Sequence, residues 1–187
     1  MLKLLKSLKN TKGISIVELL IGAFILAVVS AVTLQAFLGQ KEASNMQAQV
    51  SDAQQAATFS MAEITKVVRN AGYRVPVGTP PYQKITGFLG HDTLITYCYN
   101  STALKVDTTR FFLAYTGADA AHPKLMKKVN TDGAEPYAED IEDVDFNPVG
   151  TNSLVVSLTA RTEKIDKHLN DYRRRTVSTQ IFIPNAQ

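Results

Sequence analysis

The segment from Ile14 to Leu38 is the feature that most constrains this chain of 187 residues, because only Glu18 within it is charged. A helix needs about 20 consecutive apolar residues to cross the hydrocarbon core of a bilayer, and this segment exceeds that length. A carboxylate inside such a span costs about 2.5–3.5 kcal/mol at the centre and less near an end. The sequence therefore predicts a membrane helix in which Glu18 is a candidate functional residue that receives a cation from elsewhere.

The thirteen residues before this segment contain lysines and no acidic residue. The basic positions are Lys3, Lys6, Lys9 and Lys12. Basic residues ahead of a span keep that end in the cytoplasm, so the remainder is expected to face the periplasm or the cell exterior. No small-x-small cleavage site with a clear polar shift follows the apolar segment at once, unlike in an ordinary secretory signal. Without these lysines the net charge falls from +3 to −1, so whole-chain basicity does not indicate nucleic acid binding.

The residues around Gly13 resemble the processing site of a type IV prepilin or pseudoprepilin. Members of that family carry a short basic leader ending in Gly, an apolar helix directly after it, and a Glu at the fifth mature position. Gly13, the segment Ile14 to Leu38, and Glu18 match this pattern, although Ile14 stands where Phe is usual. The resemblance implies cleavage between Gly13 and Ile14 by a membrane prepilin peptidase and N-methylation of Ile14.

Glu18 has two interpretations. Its carboxylate suits the positive end of a helix dipole, an interaction worth about 0.3–1 kcal/mol. The resemblance implies the other role, in which Glu18 pairs with the protonated Ile14 amine of a neighbouring subunit as the two assemble. Such pairing compensates two charges that would otherwise be buried alone. We favour the assembly role.

The sequence beyond Leu38 is polar but keeps a helical period up to Ala71, and it contains no Pro before Pro76. Apolar residues recur at steps of three or four, namely Val50, Ala53, Ala57, Met61, Ile64, Val68 and Ala71. We therefore predict one helix from about Ser15 to Asn70, with Gly72 as a left-handed cap.

After Gly72 the pattern changes to short runs typical of strands. They are expected near residues 93–99, 110–115, 124–129, 144–147, 154–161 and 175–183. Because a half-apolar sheet must be covered, the predicted fold is α+β: a long N-terminal helix, transmembrane in its first half, packs by its second half on an antiparallel β-sheet. The predicted organisation is a leader at 1–13, a transmembrane or filament-core helix at 14–38, an amphipathic helix at 39–72 and a β-sheet domain at 73–187.

The resemblance implies the same pilin-like architecture. Three features are similar to PilW-type minor pilins and J-type pseudopilins: the helix end at Ala71-Gly72-Tyr73, the run Ile141 to Phe146, and the long last strand. The chain has one cysteine, Cys98, so it cannot form the intramolecular disulfide found near the C-terminus of many major pilins.

Two charged clusters are further candidate sites. Carboxylate oxygens are Ca²⁺ ligands, and an acidic run contains Glu139, Asp140, Glu142, Asp143 and Asp145, without EF-hand spacing. A basic run could bind DNA phosphates through Arg173, Arg174 and Arg175, together with Arg161, Lys164, Lys167 and His168. The plainer interpretations, which we favour, are a solvated acidic face and a basic patch complementary to an acidic neighbour such as the 139–145 run.

No pattern in the sequence indicates catalysis or a cofactor. It has no phosphate-binding Gly-rich loop, no Gly-x-Ser-x-Gly elbow and no Cys-x-x-Cys pair, and its three histidines are isolated. Cys98 is expected to be a small apolar strand residue. We therefore expect a protein that is not an enzyme.

The predicted function is that of a structural subunit of a type IV pilus, as a minor pilin. The expected partners are other pilins or pseudopilins, the prepilin peptidase, an inner-membrane assembly platform and membrane lipid. The chain would span the inner membrane once and then enter a periplasmic or extracellular filament. The alternatives are a pseudopilin of a type II secretion system and a signal-anchored adhesion or binding protein.

Overall fold

The computed structural model describes residues 15–86, 91–115, 122–150, 152–167 and 169–185. One helix, α1, covers Ile16–Arg69 and is followed by eight strands: β1 Tyr82–Thr86, β2 Asp92–Asn100, β3 Lys105–Ala114, β4 Lys124–Val129, β5 Glu135–Glu139, β6 Ile141–Val149, β7 Ser153–Arg161 and β8 Arg174–Phe182. The chain divides into two compact units, Met1–Asn45 and Met46–Gln187. We call the second one the head unit.

Helix α1 confirms the prediction of one helix over about 15–70. Glu18 lies in its first turn, and Lys66 and Arg69 lie in its last turn, so both ends carry charges that complement the helix dipole. After Arg69 the chain turns with Gly72 at a φ of +79°, a backbone conformation that glycine adopts without steric cost.

The strands form two antiparallel sheets in which the neighbours are consecutive along the chain. The first sheet has the order β1-β2-β3-β4-β5, and the second has the order β6-β7-β8. In the central strand β7, the buried residues Leu154, Val156, Leu158 and Ala160 alternate with half-buried ones. This period of two places one face of the second sheet in the core.

The core of the head unit contains residues from α1 and from both sheets. The predicted apolar stripe of α1 supplies Ala53, Ala57, Met61, Ile64 and Val68, and Ala71 follows the helix. Phe111 from β3 and Phe146 from β6 are fully buried in the same cluster. The prediction of an α+β fold with a long helix packed on antiparallel β-structure is therefore confirmed.

The sequence analysis was wrong in predicting one sheet, because the strands divide between two. It also missed β1 and β5, which lie at the two edges of the first sheet. Both have only five residues and are mostly exposed, and β5 contains Pro136. Short, charged or Pro-containing strands are typical of edges, where their low apolar content hides them from pattern analysis. The strand predicted at 144–147 is also longer than expected, because β6 begins at Ile141 and continues through Pro148 to Val149.

A buried carboxylate connects the two sheets. Asp92, at the start of β2, is only 3% exposed, and its Oδ2 lies 2.6 Å from the Lys84 Nζ on β1. The same oxygen accepts the backbone N–H of Phe146 on β6 at 3.0 Å. Because a buried charge is tolerated only when it is paired and hydrogen-bonded, these two contacts fix how β1, β2 and β6 meet.

The turn after α1 lies against both the first sheet and the C-terminal segment. The Gly72 N–H donates to the Tyr97 carbonyl at 2.8 Å, and the Tyr99 N–H donates to the Tyr73 carbonyl at 2.9 Å. A Cβ added at Gly72 would lie 2.5 Å from the carbonyl oxygen of Asn185. Glycine is therefore required here both for its φ angle and for this close approach.

Candidate functional site

Glu18 forms a cap at the N-terminus of α1. Its Oε2 accepts the backbone N–H of Ser15 at 3.0 Å, and the Ser15 Oγ accepts the N–H of Val17 at 3.3 Å. The spacing Ser-x-x-Glu is that of a capping box, in which the two side chains satisfy N–H groups that have no partner within the helix. The backbone therefore holds the carboxylate at the first turn, close to the beginning of the apolar segment.

The second oxygen of Glu18, Oε1, accepts no hydrogen bond from the residues that the structure describes. The carboxylate is exposed, as are all the residues from Ser15 to Asn45. One oxygen thus serves the cap, while the other remains able to accept a hydrogen bond from another molecule.

The first unit presents an apolar surface that none of the described residues covers. The candidate membrane segment within α1 has none of its residues buried inside the chain. The large exposed side chains include Leu19, Leu20, Phe24, Ile25, Leu26, Val29, Val32, Phe37 and Leu38. Such a surface is stable in water only when lipid or other protein covers it. Helix α1 is therefore long and apolar enough to span a membrane or to act as a signal anchor.

Small residues recur along one side of the same segment. Ala23, Ala27 and Ala31 are four residues apart, so they lie on one helix face. Gly22 has no atom within 4 Å of the position that a Cβ would occupy. Small side chains let membrane helices approach each other closely, which favours packing through van der Waals contacts.

The predicted processing residues Gly13 and Ile14 lie outside the described residues, as does His168 of the basic run. The described part of the site therefore begins at Ser15, the residue directly after Ile14.

The acidic run is divided between two strands and paired with basic side chains. Glu139 on β5 lies 3.3 Å from Lys124, and Asp140 lies 3.0 Å from the His122 Nδ1. On β6, Glu142 pairs with Arg174, and Asp143 lies 3.2 Å from the His91 Nδ1. Burial raises the pKa of Asp145, and the neighbouring carboxylates of Asp143 and Asp92 raise it further.

This arrangement gives no support to calcium binding by the acidic run, the less favoured of its two interpretations. Within the described ranges, no three His, Cys, Asp or Glu side chains converge in a way that could hold a metal ion. Paired carboxylates would have to leave their basic partners before they could coordinate Ca²⁺.

The three arginines proposed for nucleic acid contact differ in their pairing. The Arg173 Nε donates to the buried Asp166 at 2.6 Å. Arg174 donates to both carboxylate oxygens of Glu142 and, at 2.8 Å, to Asp171. These hydrogen bonds from Arg174 lower the pKa of Asp171. Arg175 has no ion-pair partner among the described residues, so it alone of the three has an uncompensated charge.

Cys98 lies on β2 and is half-buried. Burial and the nearby Asp107 raise the pKa of its thiol. Because the thiolate is the reactive form, this environment makes Cys98 a poor nucleophile at neutral pH.

Sequence reasoning missed Ser15 as part of the site. The signal was present, since Ser15 and Glu18 have capping-box spacing directly before an apolar run. The sequence analysis related Glu18 to the helix dipole and to assembly, but it did not pair Glu18 with Ser15.

Comparison of the chain with protein-family models, curated proteins and solved structures finds no match. The architecture itself is pilin-like: a long N-terminal apolar helix whose later part packs on antiparallel sheets. The fold and the site therefore define a class of protein with a β-sheet head and an exposed apolar helix, which bears one carboxylate near its start.

Proposed function

We propose that the chain is a structural subunit of a type IV pilus, in the role of a minor pilin. The observation that carries the proposal is an exposed apolar helix with one carboxylate in its first turn. The residues before it match a prepilin processing site. In this proposal the chain has no catalytic role and no cofactor.

The proposed sequence of events begins in the inner membrane, with the lysine-rich N-terminus in the cytoplasm. A prepilin peptidase cleaves after Gly13, and Ile14 is methylated on its new amino group. An assembly platform then moves the apolar segment from lipid into a filament of other pilins, where helix packing replaces lipid contacts. The head unit is exposed in the periplasm or outside the cell.

Glu18 would act as the acceptor for the Ile14 amine of a neighbouring subunit. The Oε1 atom, which has no described hydrogen-bond donor, could accept that amine while Oε2 keeps its bond to Ser15. A hydrogen bond to a charged group contributes about 1.5–3 kcal/mol, and here it would also neutralise both charges within an apolar bundle. The pairing therefore favours one axial register of the helices.

The test replaces Glu18 by Gln and measures membrane insertion, cleavage and incorporation into filaments. Glu18→Gln retains an oxygen for the Ser15 N–H but removes the charge, so the helix cap is preserved. We expect normal insertion and cleavage but a loss of incorporation by about tenfold or more.

The matched control is Ser15→Ala, which removes the Ser15 hydroxyl and keeps the Glu18 charge. We expect Ser15→Ala filaments to form normally. Normal incorporation of Glu18→Gln, or an equal loss in both variants, would contradict the pairing role.

Two alternative functions use the same helix. A pseudopilin of a type II secretion system would assemble in the same way but remain in a periplasmic pseudopilus. A signal-anchored adhesion or binding protein would keep α1 in the membrane, which its length and apolarity also permit. Mass spectrometry of the mature N-terminus separates these classes, because methylated Ile14 supports a pilin or pseudopilin and an intact Met1 supports the anchored protein.

A further inference from the structure

Strand β8 differs from the other sheet edges in the described part of the chain. β1 has five residues and follows Pro80 and Pro81, while β5 has five residues and contains Pro136. The register of β6 shifts between Ile141 and Asp143, and β6 contains Pro148. Short length, Pro and bulges are the devices that prevent further strands from pairing with an edge.

β8 has none of these three devices, and its charged residues, Arg174 and Arg175, are confined to its start. It extends over nine residues, contains no Pro, and pairs with β7 in continuous register from Arg174 to Phe182. Its other side has no paired strand in the sheet order β6-β7-β8. The backbone of β8 is therefore able to form hydrogen bonds with an additional extended segment.

An open groove of about 590 Å³ lies beside this edge, between β8 and the last turns of α1. Its apolar lining includes Met61, Ala62 and Val177, and its polar lining includes Thr58, Thr65, Lys66, Arg69 and Asn70. Alternate side chains of a strand project to the same face, so a strand added at β8 would direct every second side chain toward this groove.

Basic side chains from the last turn of α1 line the groove. Lys66 and Arg69 are exposed and form no ion pair among the described residues. The nearby acid Glu63 is instead bonded to the Lys127 Nζ at 2.6 Å. Arg175, which is also without an ion-pair partner, lies on the same face of β8 as Val177 because the two are two residues apart. A ligand that complements this charge must be acidic.

We propose that β8 binds an extended segment of a neighbouring protein, which adds as a fourth strand to the second sheet. Every second side chain of this segment faces the groove, where apolar ones contact Met61 and Val177 and acidic ones contact Lys66 and Arg69. A second copy of this chain binding through its own β8 is disfavoured, because Arg175 and the groove cations of the two copies would repel each other. The contact is separate from helix assembly and would connect the head unit to a different subunit or partner.

The test uses the full chain in detergent micelles and a fluorescent peptide of about ten residues. Every second residue of the peptide, on the face toward the groove, is valine or glutamate in turn, and the residues between them are threonine. Fluorescence anisotropy measures binding, and hydrogen exchange measures which backbone amides become protected. We expect the peptide to bind and to protect amides in residues 174–182. Absence of binding, or protection at β1, β5 or β6 in place of β8, would overturn the proposal. Protection confined to α1 would also overturn it, since that indicates a ligand that does not pair as a strand.

The charge requirement is tested with the double variant Lys66→Glu and Arg69→Glu. These exposed residues have no ion pairs to lose, so the fold should be retained, as circular dichroism can verify. We expect the acidic peptide to bind at least about tenfold more weakly. The same peptide with lysine in place of each glutamate should bind better than it does to the unaltered chain. The matched control, Lys105→Glu, changes an exposed residue on β3 and should not alter binding. Equal effects of the control and the Lys66 and Arg69 changes would refute the proposed site.

Discussion

At the scale of single residues, two buried polar side chains differ in whether they have partners. Asp92 forms an ion pair with Lys84 and accepts the N–H of Phe146, so its burial is compensated. Ser60 is fully buried on α1, and its Oγ has no hydrogen-bond partner among the described residues. The Asp92 contacts hold the two sheets together at one place. The Ser60 hydroxyl, by contrast, reduces the stability of the helix packing because it is buried without a hydrogen bond.

Replacing Ser60 by Ala is therefore expected to stabilise the head unit by about 1–2 kcal/mol, because it removes an unsatisfied hydroxyl and favours the helix. Urea denaturation followed by circular dichroism measures the change in the free energy of unfolding. The matched control is Ser51→Ala, an exposed position on the same helix, which should gain only about 0.5 kcal/mol from helix propensity. If Ser60→Ala destabilises the protein, the hydroxyl must have a partner that the geometry does not show.

The charged runs show which features of single residues can be predicted from the sequence and which cannot. The types and positions of the arginines were evident, but the pairing of Arg174 with Glu142 depends on β6 and β8 flanking β7 in one sheet. Because the two residues are far apart along the chain, no local pattern could have predicted which carboxylate Arg174 would contact.

At the scale of secondary-structure elements, α1 is attached to the first sheet by an ion pair in addition to its apolar stripe. The Lys127 Nζ on β4 donates to the Glu63 Oε1 at 2.6 Å, and both side chains are largely buried. This hydrogen bond is the main cause of a lowered pKa for Glu63, relative to its ordinary value of 4.5, and the charge of Lys127 adds to the effect.

The Glu63 contact predicts a pH-dependent stability. Because the pKa in the folded state is below the unfolded value, the stabilisation is complete above about pH 4.5 and is lost as the pH falls through the folded pKa. We expect Glu63→Gln to lower the free energy of unfolding by about 1 kcal/mol at pH 7, with the difference from the unaltered chain shrinking below pH 4.5.

Thermal or urea unfolding at a series of pH values measures this difference. Glu163→Gln is the control, since Glu163 is exposed and has no ion pair among the described residues. A constant difference between Glu63→Gln and the unaltered chain across the pH range would show that the ion pair is not the cause.

The turn at the end of α1 allows a second test at the element scale. Gly72→Ala is expected to cost about 2–4 kcal/mol, because alanine must adopt a φ of +79° and its Cβ meets the Asn185 carbonyl. Gly78→Ala is a matched control, since Gly78 has a φ of +90° but no atom within 4 Å of its Cβ position. We expect the control to cost about 1 kcal/mol in thermal or chemical unfolding. Equal costs would show that the C-terminal segment moves away without penalty.

The elements also show why part of the fold was predictable. The helix shows its apolar residues at regular steps within its own sequence, and β7 alternates buried and half-buried residues along its whole length. β1 and β5 show no such pattern, because an edge strand forms by pairing with its neighbour and needs no apolar face of its own. The division into two sheets depends on contacts such as that of Asp92 with β6, which join residues distant in sequence.

At the scale of the whole molecule, the chain combines two units with different requirements. The first exposes an apolar helix that needs lipid or other helices, and the second encloses its own core. The position of the apolar segment was evident from composition, because few folds in water can accommodate an apolar run of this length. The β8 edge and its groove could not be predicted from the sequence, because an unpaired edge is recognised only when the strand order is known.

The strand order of the head unit has a consequence for how the protein reaches its final state. Every strand in both sheets pairs with the strand directly before or after it in the chain. A chain that is synthesised from its N-terminus can therefore form each hairpin as soon as the second strand is available, without waiting for distant sequence. Since loop closure over short separations is rapid, such a meander shortens the time during which unpaired strands are available for aggregation.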